Sequence, residues 1–166
     1  MKKKAKGRSV TSVLFCGVGG QGVLTASEIC ASAAVLEGLH VKKSEVKGMS
    51  QRGGSVDSHV RFGRKVFSPL IPAGGADFLV PFDAVEGKRW AHFLKKGGAD
   101  LSSFLGGAAA ASSDKKFVNA YMLGVLSAFL PFGDRSWSGA FDRNLRKAQG
   151  ENCRIFLLGQ KEGKAK

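Results

Sequence analysis

The sequence predicts a single three-layer α/β domain with a mixed, mostly parallel sheet and helices on both faces. Three observations carry this. An apolar, β-branched run at 10–16 passes through the glycine loop 17–22 into an Ala- and Ser-rich stretch at 23–38 that lacks proline. A second run, 55–62, alternates cleanly with period two. Apolar helical stretches then dominate the last third of the chain. With 166 residues the chain has the size of one domain, assigned to 9–160, with basic tails at 1–8 and 161–166.

The elements follow in order. VTSVLFC at 10–16 reads as a buried strand, and the helix after the glycine loop stops at Gly38. LHVKKSEV at 39–46 reads as the second strand, which makes the first βαβ unit Rossmann-like. In SVDSHVRF, Val56, Ser58, Val60 and Phe62 face one way, and Ser55, Asp57, His59 and Arg61 form a wetter face. A turn at Gly63-Arg64 leads to a short strand at 65–67, and Pro69 and Pro72 keep the next residues extended. A strand at 76–82 and a helix at 84–96, ended by Gly97-Gly98, come next. Residues 99–116 read as a loop. A helix at 118–130 stops at Pro131, and a second, capped by Ser136, carries Trp137, Ala140, Phe141, Leu145 and Ala148 on one face. A final short helix, 151–158, ends at Gly159.

Composition excludes several function classes. The net charge is +13, but residues 1–8 hold five of the cations and no acid, and 161–166 add a net +2. The body therefore carries only +6, so the charge argues against a specific nucleic-acid site and suits an acidic partner or an anionic ligand. No apolar run is long enough to span a membrane, and no apolar segment with a cleavage site follows the lysines, so the expected location is cytoplasmic. Cys16, Cys30 and Cys153 are far apart and form no CxxC, which leaves no four-thiolate metal or cluster site.

Two segments carry the candidate chemistry. Gly17-Val18-Gly19-Gly20-Gln21-Gly22 fits GxGxxG between a strand and a helix, where free N–H groups meet an anion. Glu45, 23 residues after Gly22, is spaced as an acidic ribose contact would be. Nucleotide binding and a simple packing turn both fit this loop. The second segment runs from Glu45 through Gly48, Met49, Ser50, Gln51, Arg52, Gly53 and Gly54, with Arg52 as a donor fork for carboxylate or phosphate. His40, His59 and His92 lack metal-ligand spacing, and His59 reads as a surface residue. Asp77, Asp83 and Glu86 read as a helix start and a solvated face.

The ordered set GVGGQGVLTASEI, SEVKGMSQRGGSVDSHVRFG and SPLIPAGGAD resembles the gamma subunit of 2-oxoacid:ferredoxin oxidoreductases, in the branch of the indolepyruvate ferredoxin oxidoreductase beta subunit. VNAYMLGVLSAFLPF and SWSGAF extend the likeness. The resemblance implies a non-catalytic subunit of a complex that converts a 2-oxoacid and coenzyme A to acyl-CoA and CO2 and passes electrons to ferredoxin. It also implies that thiamine diphosphate, Mg2+ and iron–sulfur clusters sit in larger partner subunits, and that none is bound by this chain alone. Gly17, Gly19, Gly20, Gln21 and Gly22 match the family's glycine loop. Glu45, Gly48, Met49, Ser50, Gln51, Arg52, Gly53 and Gly54 match its second signature, implying contacts to a partner or to the cofactor cavity. Lys47 stands where the indolepyruvate branch commonly has His, and 98–118 is shorter than the family's usual stretch. The alternative is a stand-alone dinucleotide-binding protein that uses the GVGGQG loop.

Overall fold

A computed structural model describes residues 10–47 and 53–166. The basic segment 1–8 and the positions Gly48, Met49, Ser50, Gln51 and Arg52 lie outside the described residues. The chain runs β1 (Thr11–Val18), α1 (Val23–Leu36), β2 (His40–Lys47), β3 (Ser55–Gly63), β4 (Ala76–Pro81), α2 (Ala84–Trp90), β5 (Leu94–Asp100), α3 (Leu105–Ala111), α4 (Val118–Phe129), α5 (Asp134–Asn144) and α6 (Gln149–Ala165). The strands form one sheet in the order β2-β3-β1-β4-β5. β3 pairs antiparallel with both β2 and β1, whereas β1, β4 and β5 pair in parallel. Four of the five strands therefore share one direction, which is the mixed, mostly parallel sheet expected. The first βαβ unit is split, however, because β3 is inserted between β1 and β2.

Alternation on β1 builds two cores. Val13 and Phe15 join Val60, Phe62, Val80 and Phe82 beneath the larger helical layer. Leu14 and Cys16 face the other way and pack with Ile71, Ala76 and Leu79, against Trp90, Phe93 and Leu94 at the end of α2 and beyond. The wetter face of β3 is on this second side. In register, Arg61 lies beside Ser12, His59 beside Leu14 and Asp57 beside Cys16. The face is polar yet covered: a strap of residues 64–75 and the α2 segment lie over it.

Four expectations are corrected. The short strand at 65–67 does not form, because its backbone bonds to side chains of the sheet: the Val66 N–H donates to His40 Nδ1 at 2.9 Å. The helix expected over 84–96 stops at Trp90, and Leu94–Asp100 is the edge strand β5. Gly97 has φ +82°, and a Cβ on Gly98 would lie 3.0 Å from the carbonyl oxygens of Ala76 and Asp77, so this pair marks a bulge against β4. Residues 99–116 are not a loop. A 3-10 turn at Leu101–Phe104 and helix α3 bury Leu101, Phe104 and Ala108 at helical spacing.

The fourth concerns the C-terminus. α5 begins at Asp134, so Ser136 lies within it, and Leu145 and Ala148 fall beyond its end, although Trp137, Ala140 and Phe141 are buried as expected. α6 passes through Gly159 and continues to Ala165, so 161–165 are helix rather than tail. Its glycines are contact points. A Cβ on Gly159 would overlap the Tyr121 carbonyl oxygen, and one on Gly124 would overlap that of Phe156. The α4 and α6 backbones thus touch, and this close packing offsets the roughly 1 kcal/mol that each helical glycine costs.

Candidate functional site: two glycine loops at the carboxyl edge of the sheet

β1 delivers the chain to the carboxyl edge of the parallel strands, the usual place for a site in an open α/β sheet. There the two glycine segments meet. The Gly19 N–H donates to the Gly54 carbonyl at 2.9 Å, and a Cβ on Gly19 would sit 3.5 Å from Gly53 N. Gly20 (φ +96°) and Gly53 (φ +75°) have nothing within 4 Å of where a Cβ would stand among the described residues. Gly22 (φ +78°) is the N-cap of α1, and no side chain caps that helix start.

Gln21 turns inward. Its Oε1 accepts the Val18 N–H at 2.7 Å, and its Nε2 donates to the Phe82 carbonyl at 3.3 Å. A Cβ on Gly17 would stand 2.8 Å from Gln21 Oε1, 2.9 Å from Val23 Cγ2 and 3.3 Å from Phe82 Cβ, so a side chain there would crowd these contacts. Gln21 is therefore a clamp on the loop, and the open surface is the backbone of Gly19, Gly20 and Gly53.

Under the loops lies a buried carboxylate. Glu86 accepts from Ser55 Oγ at 2.5 Å and from Trp90 Nε1 at 3.2 Å, with Arg89 at 3.6 Å. It ties the start of β3 to α2. Asp83 caps α2 by accepting the Val85 and Glu86 N–H groups, the helix start expected of it. The solvated face expected of Glu86 is corrected, since it is buried. Cys16, near the end of β1, is fully buried. Burial first, then the carboxylates of Glu86, Asp100, Asp57 and Asp83, hold its thiol well above the ordinary range, so it is inert as a nucleophile.

Two further residues are corrected. His59 is buried rather than on the surface: its Nδ1 accepts the Ile71 N–H at 3.0 Å, its Nε2 lies 3.1 Å from Asp57 Oδ2, and its ring meets Phe93 edge-on. Nδ1 is an acceptor, so the ring proton sits on Nε2 and is donated to Asp57. Glu45 does not join the glycine loop. It pairs with Lys43, which also binds Glu28 of α1. Burial pulls Lys43 down, but the hydrogen bonds and charges of both carboxylates outweigh it and leave the ammonium above its usual value. A ribose contact needs its acid on the strand beside β1, and here β3 occupies that place. The dinucleotide alternative loses its second half.

Sequence reasoning missed Ser55, Asp57, Glu86 and Trp90. One signal was present: Asp83-x-x-Glu86 has the spacing of a capping box. The rest depended on residues far apart in the chain meeting across the sheet. Among the described residues no three His, Cys, Asp or Glu side chains converge as a metal set. Cys16 and Cys30 lie inside the core on separate elements, so these residues do not fit an iron–sulfur cluster.

A family model described as pyruvate ferredoxin/flavodoxin oxidoreductase matches residues 12–103, a span that includes both glycine loops, the strap and α2. The indolepyruvate oxidoreductase subunit IorB of Thermococcus kodakarensis is 47% identical over 87 residues, covering 52% of this chain and 43% of that protein. Its counterpart in Archaeoglobus fulgidus is 52% identical over 85 residues, covering 51% and 42%. The match thus spans less than half the length of these relatives. Among solved structures, the gamma subunit of a keto/oxoacid ferredoxin oxidoreductase from Geobacter sulfurreducens superposes with TM-score 0.78 at 21% identity, over 95% of this chain and 98% of that one. The 2-oxoglutarate:ferredoxin oxidoreductase of Magnetococcus marinus, solved with 2-oxoglutarate, coenzyme A and succinyl-CoA bound, gives 0.79 at 16% identity, over 96% of this chain and 32% of that one. These two likenesses establish the fold.

Proposed function

Because this chain belongs to the pyruvate ferredoxin/flavodoxin oxidoreductase family, we propose that it serves as a gamma-type subunit of a 2-oxoacid:ferredoxin oxidoreductase, with indolepyruvate or a related 2-oxoacid as substrate. The observation that carries the reading is the pairing of Gly19 with Gly54, which sets two glycine loops side by side at the carboxyl edge of the sheet. Their side-chain needs are met from within, by Gln21 and Glu86. Their outer surface is backbone, suited to close approach by another chain or by a ligand in a shared cavity. Gly17 to Gly22 and Gly48 to Gly54 are proposed as the contacts, with Gln51 and Arg52 as their polar members. Glu45, whose carboxylate pairs with Lys43, is proposed as an outlying member of the same contact surface.

In this reading the complex converts the 2-oxoacid and coenzyme A to acyl-CoA and CO2 and passes electrons to ferredoxin. Larger subunits hold thiamine diphosphate, Mg2+ and the clusters, because the cysteines of this chain do not fit a cluster site. A cytoplasmic location is part of this proposal; among the described residues no helix is long and apolar enough to cross a membrane.

Affinity purification of the tagged chain from its native cells at moderate salt tests this. A brown complex is expected, whose larger chain carries thiamine diphosphate and reduces ferredoxin on addition of a 2-oxoacid and coenzyme A. A colourless preparation without such a chain would overturn the reading.

A further inference from the structure

The strap, residues 64–75, is held by side chains rather than by a strand ladder. Its Val66 N–H donates to His40 Nδ1 and its Ile71 N–H to His59 Nδ1. Arg61 Nη1 donates to the carbonyls of Ser68 at 3.0 Å and Leu70 at 3.2 Å. Val66 and Ile71 are buried as anchors. Between these anchors the strap carries two large apolar side chains outward: Phe67 is 81% exposed, the most of any exposed large hydrophobic among the described residues, and Leu70 is 58% exposed. An exposed aromatic on a backbone already anchored on both sides costs less ordering on docking than one on a free loop. Among the described residues none covers Phe67.

Along the strap the charge has one sign. Arg64 and Lys65 are exposed, Lys65 Nζ lies 5.0 Å from the centre of the Phe67 ring, and no Asp or Glu occurs between Ser58 and Ala76. A second copy of this chain would set these cations against themselves across a two-fold axis. The complementary surface is apolar with carboxylates at its rim.

Resting on the reading above, we propose that the strap is a docking lip for the larger subunit of the complex, with Phe67 and Leu70 entering an apolar socket rimmed by carboxylates. The test compares the native tagged chain with Phe67→Ser/Leu70→Ser and with Arg64→Glu/Lys65→Glu, and uses Leu157→Ser/Leu158→Ser on α6 as the control. Retention of the thiamine- and cluster-bearing chain should fall at least tenfold in both strap variants and stay native in the control, with far-UV circular dichroism unchanged throughout. Hydroxyl-radical footprinting of the unmodified complex reads the lip without any substitution, and Phe67 oxidation should drop at least fivefold on assembly. Full retention by the strap variants, or equal oxidation of Phe67 in the free and assembled chain, overturns the lip while leaving the subunit reading intact. Protection of Phe67 in the isolated chain at raised concentration assigns the strap to self-association and also overturns it. If the native chain brings down no such partner, the subunit reading and the lip fall together.

Discussion

At the scale of single residues, the first loop is governed by where side chains are forbidden. Gly22 combines φ +78° with the Asn119 side chain standing where a Cβ would go, whereas Gly20 has φ +96° and open space. Alanine at Gly20 meets only backbone strain, about 1–2 kcal/mol. Alanine at Gly22 adds the collision and should cost about 3 kcal/mol in all. Urea midpoints of the two variants measure the difference, and equal losses would contradict this account. The loop itself was legible in the sequence, since GxGxxG between strand and helix admits few shapes. The partner of Gln21 was not, because Phe82 lies 61 residues away. His59 was misread for the same reason: alternation assigns a face, but only the strap decides whether that face is wet.

At the scale of elements, period two and period 3.6 located β1, α1, β2, β3, β4 and α4 well. They failed where glycine had a packing role. In β5, Gly97 and Gly98 accommodate a bulge, and in α6, Gly159 and Gly163 let the backbone lie on α4, yet Gly97, Gly98 and Gly159 read as stops. Gly124→Ala drives a methyl group into the Phe156 carbonyl, and two packed helices cannot part cheaply. A loss of about 3 kcal/mol or more is expected. Gly150→Ala, with nothing within 4 Å of its Cβ in the same α6, should instead gain up to about 1 kcal/mol. Thermal denaturation of the pair separates a contact glycine from a merely flexible one, and similar midpoints would refute the backbone crossing.

At the scale of the whole molecule, stability is tied to pH through the buried thiols. Burial pushes Cys30 up to about 12, from an ordinary value of 9.0 in the unfolded chain. Between those values the unfolded state has released a proton that the folded state keeps, so stability falls as pH rises from about 9 towards 12. The slope from one such thiol is about 1.4 kcal/mol per pH unit. Cys30→Ala should remove about 1.4 kcal/mol in total from the fall in unfolding free energy between pH 8 and pH 10, as read from urea titrations at those two values. An unchanged slope would show that other groups dominate.

The sequence by itself determined the α/β class, the glycine loop and its helix, the second glycine segment, and the family likeness those motifs carry. These are local facts: short spacings of apolar residues and glycines restrict a backbone wherever it lies. Only the tertiary structure decided that β3 enters between β1 and β2, which removes Glu45 from the glycine loop and brings Gly54 to it. It also decided that the strap covers His59 and Asp57 and turns Phe67 outward. The physical reason is the same in each case. Strand order and burial are set by contacts between residues distant in the chain, whose free energy belongs to the packed sheet and to no segment of it.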